Sequence, residues 1–403
     1  MGLLSNTILQ LKPSPTLAVT ARANQLKAQG QDIIGFGAGE PDFDTPEHIK
    51  QAAIEALQKG FTKYTAVGGI PALKDTIQGK LKREQDISYA HDQIIITNGG
   101  KQAIATACAV LLNPGDEVII PAPYWTSYPD MAVLAGGKPV FVNTLPEDGF
   151  LMSAEQLKKA CSSKTKLIFI NSPSNPTGSC YTKEQLKELA NVISSLPNRN
   201  ELIVITDEVY EYITFDGFKH VSFLEAAPEL RDRTLLVNAF SKAYSMTGWR
   251  VGYAVGPKEV ITAMTTHVSQ FTSNVCSIAQ YAAARAYDDN YAFPRMMQVE
   301  FNKRVNLVAD AVSQMSGIRL AKKPDGAFFG FMLIDGLLGK KNADVTVDSS
   351  ATFAEYLLEK FQVAAVAGEA FGYPGAIRIS FALNPKDLER GLDRIKKASE
   401  SFF

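Results

Sequence analysis

The stretch NAFSKAYSMTGWR, residues 238–250, follows the apolar residues Leu235, Leu236 and Val237 and sets Lys242 in the turn just beyond them. A lysine in that position is either a surface side chain that closes an element or an amine held at the edge of a sheet. The neighbouring sequence bears on the choice, because similar apolar runs recur: QIIIT (93–97), EVIIPAP (117–123), PVFV (139–142), KLIFINSP (166–173), ELIVITDE (201–208), TLLVNAF (234–240) and VGYAVG (251–256). Amphipathic stretches such as SAEQLKKAC (153–161) and TKEQLKELANVISSL (182–196) lie between several of them. Continuous apolar runs alternating with helices predict an α/β fold with a mostly parallel seven-stranded sheet covered on both faces. In such a sheet ligands gather beyond the carboxyl ends of the strands, so the residues just after each run are the first candidates for chemistry.

Beyond about residue 295 the pattern changes. A long helical stretch containing Arg304 is followed by the apolar segments GAFFGFML (326–333) and AIRISFA (376–382), with a helix candidate, ATFAEYLLEKFQ, between them. This reads as a smaller α+β domain. The segment 13–40 joins it, because the single strand-like IIGF (33–36) cannot bury itself alone. The expected division is a large domain over 46–294 and a small one built from 1–45 and 295–403. A chain of 403 residues, 46% hydrophobic and 21% charged, is long for one core, which favours two.

Forty-one basic against 42 acidic residues leave a formal charge of -1, which argues against a nucleic-acid footprint and for small-molecule partners. Cys108, Cys161, Cys180 and Cys276 are far apart without a CxxC, so neither a disulfide framework nor a thiolate metal site is expected. The N-terminal MGLLSNTILQLKPSPT reaches Lys12 and Pro13 too early for a signal peptide or membrane span. Gly2 fits the bare myristoylation pattern, but Asn6 stands where Ser or Thr is wanted. A cytoplasmic protein is expected. His48, His91, His220 and His267 are isolated in sequence and receive no role, and no metal is expected.

Three signals suggest chemistry. In TNGGKQAIATACAVLL (97–112) a strand ends, Asn98, Gly99 and Gly100 turn the chain, and a helix begins near Lys101; its first amides are suited to a phosphate, although two glycines alone can simply make a turn. No Walker sequence is present, and GFGAGE (35–40) is followed by EPDFDTP rather than a helix, so it is no dinucleotide fingerprint. Asp207 follows buried β-branched residues, where a carboxylate either caps the next helix or pairs with a cation such as a protonated ring nitrogen. Lys242, partly desolvated, offers an amine for a Schiff base, and Arg250 a planar fork for phosphate or carboxylate. Imine carrier, ring-nitrogen partner and phosphate cradle are together what pyridoxal phosphate requires.

The segments NAFSKAYSMTGWRVGY, NSPSNPTG (171–178), ITDEVYE, GAGEPDFDTP (37–46) and AIRIS around Arg378 resemble the class I/II aminotransferases of fold type I. LKPSPTLAVTARA, KYTAVGGIPALK, TNGGKQA and IPAPYW are similar to the bacterial and plastid aspartate aminotransferases, which include prephenate-using members. The likeness runs over nearly the whole chain. It implies that Lys242 carries the cofactor and moves the substrate proton, that Asp207 keeps the pyridine nitrogen protonated, and that Tyr210 and Asn175 donate to the ring O3'. It further implies that Gly100, Lys101, Ser241 and Arg250 surround the phosphate, with Tyr64 reaching it from the other subunit of a homodimer, and that Trp125 stacks on the ring. The substrate α-carboxylate would meet Arg378, Asn175 and the Gly39 amide, and a second carboxylate Lys101 and Thr16. One position departs from the family, Ala239 standing where a phosphate-binding hydroxyl is common.

The implied reaction is ping-pong exchange between aspartate and 2-oxoglutarate, with amination of prephenate as the alternative and aromatic, kynurenine or β-lyase chemistry behind it. Taken alone, Trp125 as rim packing, Tyr64 as a turn aromatic and Arg378 as an ordinary ion-pair partner are equally good readings. A purely regulatory domain would need a basic DNA-binding segment before residue 40, and the sequence has none.

Overall fold

All seven apolar runs between residues 93 and 256 are strands of one sheet in the computed structural model, which describes residues 3–11, 13–197 and 200–403. Gly2 and Lys12, which bear on the reading of the N-terminus, lie outside the described residues. Across the sheet the strands run Ile94–Thr97, Gly252–Val255, Thr234–Ala239, Ile203–Asp207, Thr165–Asn171, Glu117–Ala122 and Lys138–Asn143. Gly252–Val255 is antiparallel to both of its neighbours, and every other adjacent pair is parallel.

The continuous apolar runs have the cause inferred for them: both faces are covered. On one face Ile95, Ile205, Val237 and Ala254 pack with Ala103 and Ala107 of the helix Gly99–Leu111 and Met264 of Lys258–Phe271. On the other, Ile168 and Val204 meet Leu186, Leu189 and Ile193 of Lys183–Ser195, while Ile94, Leu236 and Val255 meet Leu73 and Ile77 of Pro71–Gln85. The helices Ala154–Ala160 and Lys183–Ser195 begin at reciprocal caps, Ser153 with Gln156 and Thr182 with Gln185, which satisfy the first free amides. The register sets Asn171 opposite Asp207 and Asp207 opposite Val237, so the carboxyl ends of the central strands lie side by side.

The second layer system is smaller. Its four-stranded antiparallel sheet runs Val366–Ala367, Ala376–Ser380, Phe329–Leu333 and Arg319–Leu320, packed with the helices Ala292–Ser313 and Pro385–Glu400. The strand Ile34–Gly35 finds its partner here, pairing in parallel with Val363–Ala364. The stretch 326–333 is strand only from Phe329, because Ala327 has a left-handed backbone (φ 59°) that turns the chain first. Among the described residues no helix is long and apolar enough to cross a membrane.

Candidate active site

A cavity of about 380 Å³ opens at the carboxyl ends of the central strands, between the large sheet and the small one. Lys242 enters it from the one-turn helix Phe240–Ala243, which directly follows the strand Thr234–Ala239. Its side chain is half-buried, its ammonium donates to the Gly39 carbonyl, and Phe328 lies beneath it at 5.8 Å. Burial, helped by Arg250 and Arg378, lowers its pKa to about 8, while Glu40 pulls the other way.

Asp207 ends its strand and is 7% exposed. No helix begins until Phe223, so the capping role is not the one it plays. One oxygen accepts the Tyr128 hydroxyl at 2.6 Å and the other the Val209 amide at 3.4 Å. Burial pushes its pKa up to about 6 against the pull of those donors. Three residues on, Tyr210 packs edge-on against Phe328 and Phe329 and is also buried, which holds its hydroxyl in the neutral form.

Arg378 comes from the small sheet. It is buried between the rings of Phe329 and Phe371, donates to Asn175 Oδ1 at 3.1 Å and to the Gly37 carbonyl at 2.9 Å, and leaves Nε without a partner. Burial brings even this guanidinium down to about 10. Asn175 is placed by its own amide, which donates to Asn171 Oδ1 at 2.9 Å. Opposite, Gly100 and Lys101 open the helix Gly99–Leu111, and the Lys101 ammonium lies 5.1 Å from the Trp125 ring centre. Burial lowers the Lys101 pKa, with Arg250 adding to the effect. Arg250 is set by a left-handed backbone (φ 56°) and by donation to Thr247 and Asn98 carbonyls at 2.9 and 3.2 Å.

The Aminotransferase class I and II family model matches residues 31–395. The chain belongs to the class I and II aminotransferases. It is 48% identical over 402 residues to a probable aspartate/prephenate aminotransferase of Rickettsia bellii, covering 100% of both chains. It is 46% identical over 394 residues to an aspartate/prephenate aminotransferase of Nitrosomonas europaea, covering 97% of this chain and 98% of that one. Among solved structures, an aspartate aminotransferase from Rhizobium meliloti superposes with TM-score 0.95 at 40% identity over 100% of both chains, and that of Thermus thermophilus with maleate with 0.91 at 39%, over 99% of this chain and 100% of that one.

For an aminotransferase of this fold type the test is whether the cavity fits pyridoxal phosphate. The phosphate end does: a Cβ on Gly99 would stand 2.5 Å from Arg250 Nη2, and one on Gly252 2.7 Å from the Gly100 nitrogen, so only glycine lets the helix start, the neighbouring strand and the guanidinium converge. At the other end a buried carboxylate faces the same space without a cation of its own. Both features match the donor and acceptor pattern of the cofactor.

Of the residues singled out in the sequence, Thr16, Gly39, Gly100, Lys101, Trp125, Asn175, Asp207, Tyr210, Ser241, Lys242, Arg250 and Arg378 all line this one cavity. Ala239, the departure from the aminotransferase pattern, lines it as well. Tyr64 does not: its side chain is 90% exposed on the loop between the helices Glu47–Gln58 and Pro71–Gln85. Sequence reasoning missed Tyr128, the hydroxyl that holds Asp207, although three residues from Trp125 is the spacing that brings the two rings together, edge to face at 5.3 Å. It also missed Ser14, Thr126 and Ser127 on the lining. Among the described residues one cluster has metal-ligand spacing, Glu208, Glu211 and His220, and it is not part of this lining.

Proposed function

We propose that this aminotransferase exchanges the amino group between aspartate and 2-oxoglutarate, giving oxaloacetate and glutamate, with pyridoxal phosphate as cofactor. The observation that carries the reading is the pair of cations on one cavity: Arg378 from the small sheet and Lys101 from the helix Gly99–Leu111, on a lining that also holds the Thr16 hydroxyl and Lys242. A dicarboxylate amino acid has its charges at both ends and its reacting carbon in the middle. The maleate in the Thermus thermophilus structure is also a four-carbon dicarboxylate.

When bound, pyridoxal phosphate supplies an aldehyde for imine exchange and a ring that takes up the electrons left as the substrate Cα loses its proton. Asp207 would hold the ring nitrogen protonated, and Tyr128 keeps that carboxylate oriented. Tyr210 and Asn175 would donate to the ring oxygen, Trp125 would cover the ring, and Gly100, Lys101, Ser241 and Arg250 would hold the phosphate. Arg378 grips the α-carboxylate with a two-pronged donor, aided by Asn175 and the Gly39 amide. Lys242, with its pKa lowered to about 8, would be the base that takes the proton from the substrate Cα.

Prephenate amination is the second reading, favoured by the names of the Rickettsia and Nitrosomonas relatives and by the second carboxylate that prephenate shares with aspartate. We place the domain boundaries at 45/46 and 294/295. We further propose a homodimer in which Tyr64 serves the partner's phosphate, and a cytoplasmic location, in keeping with four unpaired thiols. Borohydride reduction of the holoenzyme followed by peptide mapping tests the core of this reading. The adduct is expected on Lys242, and Lys242→Ala should lower kcat by well over the ~10²–10⁴ of general acid–base catalysis alone. An adduct on Lys101, or full turnover by Lys242→Ala, would sink it.

A further inference from the structure

In ITDEVYE the residues Asp207 and Tyr210 face the cavity, while Glu208 and Glu211 are buried elsewhere. Glu211 reaches a lysine that has no access to solvent at all: Lys80, on the helix Pro71–Gln85, is 0% exposed with its ammonium 2.5 Å from Glu211 Oε2. Glu84 stands 3.5 Å from the same ammonium, and these two carboxylates hold Lys80 charged despite its burial. The other Glu211 oxygen accepts the Asn238 side-chain amide at 2.7 Å, and Asn238 Oδ1 accepts the Ala239 amide at 2.7 Å.

The neighbouring Glu208 takes the hydroxyls of Thr206 and Ser222 at 2.9 and 2.8 Å and faces His220 at 3.2 Å. Glu208, Glu211 and His220 have ligand atoms within 4.8 Å of one another, but a cation there would have to displace the Lys80 ammonium from Glu211 and the hydroxyls from Glu208. The site of positive charge is already filled.

A buried ion pair is weak support for a fold, since apolar residues of the same shape often serve as well or better. What this pair does is geometric. Glu211 follows Tyr210, and Asn238 lies on the strand whose end leads into the turn of Lys242, so one carboxylate ties the loop of the first to the strand of the second. We propose that the Lys80–Glu211–Asn238 bridge is a positioning element of the active site, fixing the Tyr210 hydroxyl relative to Lys242. The inference rests on the reading that the cavity takes pyridoxal phosphate and that Tyr210 donates to its ring oxygen. Donation to that oxygen makes the neighbouring imine proton more acidic, so a displaced Tyr210 leaves that proton more tightly held.

The test is a spectrophotometric pH titration of the visible cofactor band in the resting holoenzyme. The double variant Lys80→Met with Glu211→Met removes the ion pair and the acceptor of the Asn238 amide at similar volume. Asn238→Ala leaves the ion pair and cuts its link to the Lys242 strand, together with the acceptor of the Ala239 amide. Both should bind cofactor and titrate with a midpoint about one to two units above wild type, the effect of losing one charge-assisted hydrogen bond, with KM for aspartate little changed. Should the double variant not fold, Asn238→Ala decides alone. Midpoints equal to wild type in the variants that fold overturn the bridge as a positioning element. A wild-type protein that takes up no pyridoxal phosphate instead removes the reading on which the bridge depends.

Discussion

Asp207 sits where ionisation is costly, since its side chain is buried and its two donors, Tyr128 and Val209, offset the lost hydration only in part. In the cofactor-free chain its pKa of about 6 lies above the ordinary value of 3.8, so the folded state binds the proton more tightly than the unfolded state does. The stability contribution therefore falls as pH rises from about 4 to about 6, by about 3 kcal/mol in all. A protonated ring nitrogen reverses this, giving the carboxylate the cation that the protein lacks at that point. Asp207→Asn should consequently melt like wild type near pH 4 when stripped of cofactor, and a few degrees higher at pH 7, while losing most of its transamination. Thermal melts across pH 4–8 read the difference; equal melting at pH 7 would refute burial as the source of the shift. The same carboxylate that weakens the empty fold is the one proposed to pair with the ring nitrogen.

Helix starts and strand ends carry part of the cavity, the rest coming from the loops beyond the strands and from Arg378 within one, and that explains how much of it is legible in sequence. Lys242, Asp207 and Gly100 each follow an apolar run, and a run of Ile and Val marks its own end, so the place of these residues in the fold could be read directly. Arg378 was visible only through its likeness to the family, because a lone arginine in AIRIS says nothing of the Phe329 and Phe371 rings that enclose it. Tyr128 and the Lys80–Glu211 pair escaped because their partners lie 79 and 131 residues away, and no local pattern encodes a contact at that range. At this scale the Gly99–Leu111 helix makes a prediction about substrate choice. Its Lys101 shares the lining with Thr16 from the start of the helix Pro15–Ala28. Lys101→Ala should lower kcat/KM for aspartate and prephenate roughly 40-fold more than for phenylalanine, the worth of one charge-assisted hydrogen bond. Equal losses across amino donors would assign Lys101 to the phosphate alone. With Thr16→Val, prephenate should suffer more than aspartate if the hydroxyl meets the ring-borne carboxylate, and unchanged rates for both would remove Thr16 from the pocket.

The single chain leaves apolar surface that its own fold does not cover: Leu3 is 106%, Leu17 69% and Phe271 74% exposed, and Tyr64 stands out at 90%. Leu17 also lines the cavity, so the active site is open on the side where the N-terminal segment runs. Two-fold pairing would bury such surface and complete both sites at once, since a closed symmetric contact places the same residues at each. Tyr64→Phe alone should then weaken cofactor binding about tenfold or more by removing a donor to phosphate, and Lys242→Ala alone should be inactive. Mixed and allowed to exchange subunits, the two variants separate the possible arrangements. If Tyr64 serves the partner, a heterodimer has one site with both substitutions and one with neither, so wild-type cofactor affinity and turnover reappear at one site per dimer. If Tyr64 serves its own chain, every surviving lysine is accompanied by phenylalanine and nothing is rescued. A sedimentation measurement completes the argument, because an active monomer at assay concentration would leave the exposed tyrosine without a phosphate to reach.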